Sequence, residues 1–251
     1  MDSKNWPKLE SSPIALSIFQ IKFDKDDSDL SSFEKCDINV DKYLPKKANN
    51  LQIDIKAGKI SAGIPANLTA NSKRVGFVRH SEDQKIKLVV DEESITYVSE
   101  AKYSTWNNFI SEIQKYIDIY AEPLSHVGIK RLSIRFINQF SFDKFEDPTE
   151  YFNTLISSAG NSNLPYSIVK YGFQLTLDLP ESNMYSIVKQ NLEALPSKYK
   201  YIFDIDVICE QNLIFDKSVL FENLEKLREG RNEIFFSNIT QKTIDLCNSL
   251  K

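Results

Sequence analysis

The stretch RLSIRFINQF (131–140) decides how this chain is read. Taken alternately, Leu132, Ile134, Phe136 and Phe140 fall on one side and Arg131, Ser133, Arg135 and Gln139 on the other, the two-residue period of a β-strand. Two features break that pattern. Asn138 stands in the apolar row, and the opposite row carries two arginines. A buried amide must satisfy its donors and its acceptor, so Asn138 is expected to tie the end of the strand to the segment around Phe236–Thr240, with Thr240 part of the same structural link. The arginines require acidic groups within the chain or an anion from outside.

The best acidic constellation is FDIDV (203–207), where Asp204 and Asp206 project to one side of a strand whose other row is Tyr199, Tyr201, Phe203, Ile205 and Val207. If this strand neighbours 127–140, the two aspartates are partners for Arg131 and Arg135. Two other uses of the same residues stay open. Asp204 and Asp206 form a carboxylate pair of the kind that holds Mg²⁺, although no third oxygen ligand is identifiable. Arg131, Arg135, Ser133 and Gln139 together are a donor set suited to a small anionic ligand.

Outward from this strand the pattern is strand-rich. IALSIFQIKF (14–23) is apolar on both sides, as a central strand would be. A short helix is expected near Phe33, followed by loop to residue 50. LQIDIKAGKI (51–60), RVGFVRHS (74–81), KIKLVVD (85–91) and SITYVSE (94–100) read as antiparallel strands, the last three joined by short polar turns. Ser104 then reads as an N-cap for a helix over 105–121, in which Trp106, Phe109, Ile110, Ile113, Ile117 and Tyr120 recur at helical spacing. After the 127–140 strand, a helix is expected from Asp147–Pro148, then strands at 166–179, 184–193 and 199–210. A long helix closes the chain with Leu220, Leu224, Leu227 and Ile234 in register, and a last short helix begins at Thr240. That seam suits either packing on the sheet or a homodimer.

These elements predict an α+β fold: antiparallel sheet with long helices packed on one face. After a lead-in (1–13), the chain divides into two topologically similar halves, 14–123 and 124–251, each ending in a helix and together forming one compact unit.

Composition narrows the function classes. A net charge of −4 argues against a broad phosphate-binding surface, so nucleic acid ranks behind a protein partner. Three widely spaced cysteines give no disulfide framework, and the polar start MDSKNWPKLESSP resembles no export signal, which leads to a cytoplasmic expectation with no membrane contact. The two histidines, His80 and His126, lack ligand-spaced partners, and neither a nucleophile elbow nor a glycine-rich phosphate loop is present. No catalytic residue is assigned and no cofactor is expected, apart from the Mg²⁺ alternative.

Several landmarks resemble a sporadically distributed, functionally uncharacterised bacterial protein family of similar length. They are Pro13-Ile14 before IFQIKF; Phe77 with Ser81, Glu82 and Asp83; Tyr103 with Trp106 and Phe109; RLSIRFIN (131–138); and Asn232, Phe235, Phe236, Ile239 and Thr240. The likeness spans most of the chain but not 141–198. It implies a bacterial or phage source and points to mobile or defence-related loci; it carries over no catalytic residues. The expectation is a non-catalytic binding or protein-interaction module, against two alternatives: a metal-dependent enzyme using Asp204 and Asp206 on a phosphate-containing substrate, and a nucleic-acid-binding protein.

Overall fold

β1 (Ile14–Phe23) lies inside the sheet because both of its edges are paired, with β5 (Ser94–Ser99) on one side and β6 (Gly128–Phe142) on the other. The structure, a computed structural model, describes residues 6–24, 28–57, 68–143, 150–153, 170–179 and 183–249. Between β1 and β5 run helix α1 (Leu30–Asp37), a 3₁₀ turn (Ile38–Val40) and strands β2 (Lys46–Ala57), β3 (Leu68–His80) and β4 (Ile86–Asp91). Helices α2 (Trp106–Ile119) and α3 (Ala121–Leu124) lead to β6. Then follow β7 (Lys170–Leu179), β8 (Met184–Leu195), β9 (Lys198–Ile214), α4 (Lys217–Asn238) and α5 (Gln241–Ser249).

The nine strands among the described residues form one sheet in the order β2-β3-β4-β5-β1-β6-β9-β8-β7, and every pairing between them is antiparallel. The strands up to β5 fill one side of the sheet and those from β6 the other, meeting at β1 and β6. The α+β expectation therefore holds, with a single antiparallel sheet.

Directly paired residues share a side of the sheet, so Phe19, Ile134 and Val207 lie together, as do Ile21, Leu132 and Cys209. This row is fully buried. Onto it come aromatic rings from the helices: Phe109 of α2 stands 5.3 Å from Phe136, Phe33 of α1 5.4 Å from Phe23, and Phe235 of α4 5.9 Å from Phe203. Each such ring contributes roughly 1.5–3 kcal/mol on burial. The Leu220, Leu224, Leu227 and Ile234 seam is buried in the same way, with α4 lying on β9 and β6. The seam is thus used within the chain, packed on the sheet.

Local signals differ from expectation in small ways. α2 is capped by Thr105, whose Oγ1 accepts from the Asn108 amide, while Ser104 takes the Asn108 side chain. β2 starts at Lys46 inside the expected loop, and β3 extends back to Leu68. The helix expected from Asp147 falls mostly outside the described residues; within them, Phe152 instead forms a β-bridge with Ile239. The lead-in is bound to the C-terminus: Trp6 stacks on Phe236, and the Ser11 amide donates to the Cys247 carbonyl.

Candidate functional site

β6 and β9 are neighbours, and their register sets Arg135 across from Asp206, Ile137 across from Asp204 and Arg131 across from Glu210. The long guanidinium side chains then reach along β9. Arg135 grips Asp204 with both arms, Nε to Oδ1 at 2.8 Å and Nη2 to Oδ2 at 2.6 Å. Arg131 reaches Asp206 with a single contact, Nη2 to Oδ2 at 3.3 Å. The bidentate geometry is the stronger and more directional of the two.

The electrostatics follow the geometry. The hydrogen bond to Asp204 holds the Arg135 guanidinium above its ordinary proton affinity. Asp206 is raised instead: burial penalises its charge, and the attraction of Arg131 and Arg135 only partly offsets this while Asp204 adds repulsion. Arg131 Nε and Asp206 Oδ1 are buried with no hydrogen-bond partner. Arg135 is held by both oxygens of Asp204, whereas the Arg131–Asp206 pair has unused capacity on both sides.

Of the four residues expected to gather an anion, Arg131 is the one that borders a depression in the surface. It lines this space of about 510 Å³ at the ends of β1, β6 and β9 together with Lys22, Lys130, Glu93 and Glu210. Lys130 is engaged by Asp24, and Glu210 accepts from the Tyr185 hydroxyl. Ser133 is buried and Gln139 exposed, and neither is bonded to the guanidinium groups. All four lie on one row of β6, where the arginines are engaged by Asp204 and Asp206.

As a metal site, Asp204 and Asp206 share one side of β9, but both oxygens of Asp204 already accept from Arg135. Among the described residues, no group of three or more His, Cys, Asp or Glu is arranged to hold a metal ion. His126 is exposed, 3.4 Å from Glu122, and His80 lies across from Lys46 and Lys87 on the neighbouring strands.

Asn138 is fully buried, and its Nδ2 donates to the Phe203 carbonyl at 2.9 Å. It ties β6 to β9, and the expectation that it reaches the Phe236–Thr240 segment is corrected. That segment is held by another element: the Thr240 amide and Oγ1 donate to the carbonyls of Tyr151 and Glu150, and Asn153 donates to Asn238 and Ser237. Thr240 keeps its structural role with a different partner.

Sequence reasoning overlooked a second charged centre. Asp37, at the end of α1, is fully buried and accepts from Arg79 through Nε and Nη2, from Lys47 at 2.5 Å and from the Tyr120 hydroxyl at 3.0 Å. Arg79 also reaches Asp41. The available signal was Arg79 sharing a strand row with Phe77, the same irregularity that drew attention to Asn138. This centre joins α1, β2, β3 and the end of α2, and its groups satisfy one another. No protein-family model matches the chain, and no curated protein matches it in sequence.

Proposed function

We propose that this protein is a non-catalytic binding module that holds a protein partner on the sheet face opposite its helices. In this reading it consists of two similar halves, β1–β5 with α2 and β6–β9 with α4, joined at β1 and β6. The helices cover one face, and the other is the working surface.

Support comes from the make-up of that surface. Ile18 and Ile137 flank the Arg135 position, Ile187 pairs with Asp206 and Ile202 with Gln139, and all four isoleucines are only half-buried. Apolar area of this kind, surrounding an arginine, is the composition favoured at protein interfaces. The single most telling observation is the contrast between the two ion pairs. Arg135 is locked by Asp204, while Arg131 is held by one 3.3 Å contact and can turn to a partner's acidic side chain at small cost.

The competing enzyme reading needs Asp204 free for a cation, and the bidentate hold of Arg135 opposes this. A Mg²⁺-dependent rise in melting temperature that Asp204→Asn abolishes would restore it.

The test places a photo-crosslinking amino acid at Ile187, and separately at Lys226 on the exposed side of α4, in the source cell. A discrete cross-linked protein from position 187, missing from position 226 and lost with Arg131→Glu, is the expected result. The same products from both positions, or none from 187, overturn the proposal.

A further inference from the structure

We propose that Arg231 is the buried end of an oxyanion-binding site between α4 and the start of α2, taking a carboxylate or phosphate group of a small ligand. This site lies on the helix side of the sheet and is independent of the surface proposed above.

The residue is anomalous already in the sequence. Leu220, Leu224, Leu227 and Ile234 follow a heptad-like spacing whose missing member is position 231, so an arginine stands where the seam calls for an apolar side chain. The structure buries it accordingly: Arg231 is only 7% exposed, and its guanidinium lies 4.3 Å from the centre of the Phe136 ring. Nε is walled off without a hydrogen-bond partner, and among the described residues no carboxylate forms an ion pair with this side chain.

Burying an uncompensated guanidinium is costly, and cation–π contact with one phenylalanine offsets only a part of that. Burial pushes its proton affinity down to about 10, with Tyr103 opposing and Arg228 adding to the shift, so it remains a cation at neutral pH. The surroundings do not neutralise it. Arg228, one turn earlier, lies over the Trp106 ring at 5.4 Å and adds a second positive charge. Glu225 is the nearby acid, and it is committed elsewhere: Oε1 accepts from Trp106 Nε1 and Oε2 from Arg228 at 3.0 Å. The amino end of α2, capped at Thr105 beside Trp106, contributes the positive pole of a 14-residue helix. Arg231 thus lies beside the Phe136 ring and the Tyr103 hydroxyl with no carboxylate paired to it among the described residues, the neighbouring Arg228 being balanced by Glu225. Tyr103 hydrogen-bonds the guanidinium but carries no charge, and an oxyanion supplies the missing negative charge.

The experiment titrates the full chain with inorganic phosphate, and separately with acetate, against sodium chloride at matched ionic strength. Melting temperature and the Arg231 side-chain Nε–Hε NMR signal are both followed. The wild type is expected to gain roughly 3–6 °C at ten times the dissociation constant of the effective anion. The Arg231 signal shifts in step. Arg231→Met, which removes an uncompensated buried charge, is expected to keep or raise its melting temperature without added anion and to lose the response. Phosphate acting alone identifies a phosphate site, and acetate acting too identifies a general oxyanion site. Equal responses in wild type and Arg231→Met, an unmoved Arg231 signal, or a large fall in stability of Arg231→Met without anion each overturn the proposal, the last by revealing an internal partner.

Discussion

Arg135 stands directly across the sheet from Asp206 yet binds Asp204, two residues further along β9. The diagonal choice leaves Asp206 between two arginines, with only a long contact to Arg131. The two aspartates, alike in sequence, therefore carry different energetic weight.

Their amide variants should separate them. Asp204→Asn breaks a bidentate charged pair and should cost about 1–3 kcal/mol in urea unfolding. Asp206 behaves oppositely, because burial raises its proton affinity above the ordinary carboxylate value. The unfolded chain then loses this proton at lower pH than the folded one, so the group's contribution weakens folding as pH rises through the folded value. Asp206→Asn should leave stability unchanged or higher at pH 7, with no advantage below pH 3. A loss for Asp206→Asn equal to that for Asp204→Asn would show that the Arg131 contact is stronger than its geometry indicates.

The buried Asp37 centre should govern acid stability. Burial alone would raise Asp37, but hydrogen bonds from Arg79 and Lys47, reinforced by their charges, hold it below the ordinary carboxylate value of 3.8. Its contribution is complete above that value and is lost as pH falls through the lowered folded value. Asp37→Asn should cost about 3–5 kcal/mol at pH 7. Plotted against pH, the difference from wild type should shrink below about pH 4; a difference constant from pH 7 to pH 2 refutes the assignment.

The sheet was legible in the sequence wherever burial imposed a pattern. β1 reads as central because both of its sides are apolar, and it has a neighbour on each edge. The start of β2, KKANN, did not read as a strand because β2 closes one end of the sheet, where polar residues are exposed and lysines blunt an edge. The candidate site was half legible. Alternation put Arg131 and Arg135 on one row and Asp204 and Asp206 on another, but which pair joins depends on a register between segments about 70 residues apart, which no local pattern encodes. Arg79, Asn138 and Arg231 share one recognisable sign, a polar residue in an apolar row or seam. Their partners, set by tertiary contacts, carried no local sign.

Asn138 joins β6 to β9 through one 2.9 Å bond to the Phe203 carbonyl, and its own Oδ1 is buried without a donor. Asn138→Ala removes the bond and leaves a small void, at an expected cost of about 1–3 kcal/mol. Asn138→Leu also removes the unsatisfied oxygen and fills the void, so it should lose less than the alanine variant. Thermal melts of the two decide this, and the reverse order would mean that the amide makes a further contact on its oxygen side.

Gly76 and Gly172 both lie in strands, and the same substitution should affect them differently. At Gly76 a Cβ would stand 2.1 Å from the Val90 carbonyl oxygen and 2.7 Å from the Asp91 Cα. Those atoms belong to β4, whose Val90 is paired with Phe77 on one side and Ile95 on the other, so they cannot retreat without disturbing two ladders. β3 is irregular here as well: Asn50 faces Gly76 and Leu51 faces Arg74, leaving Val75 as the extra residue of a bulge. At Gly172, on the end strand β7, the obstacle is the Asn191 Oδ1, 2.2 Å away at the tip of a half-buried side chain that can rotate aside. Gly76→Ala should therefore cost about 3 kcal/mol, whereas Gly172→Ala should stay within about 0.5 kcal/mol of wild type. Urea midpoints at constant slope test both, and equal losses at the two positions would show that β4 can shift where its pairing indicates it cannot.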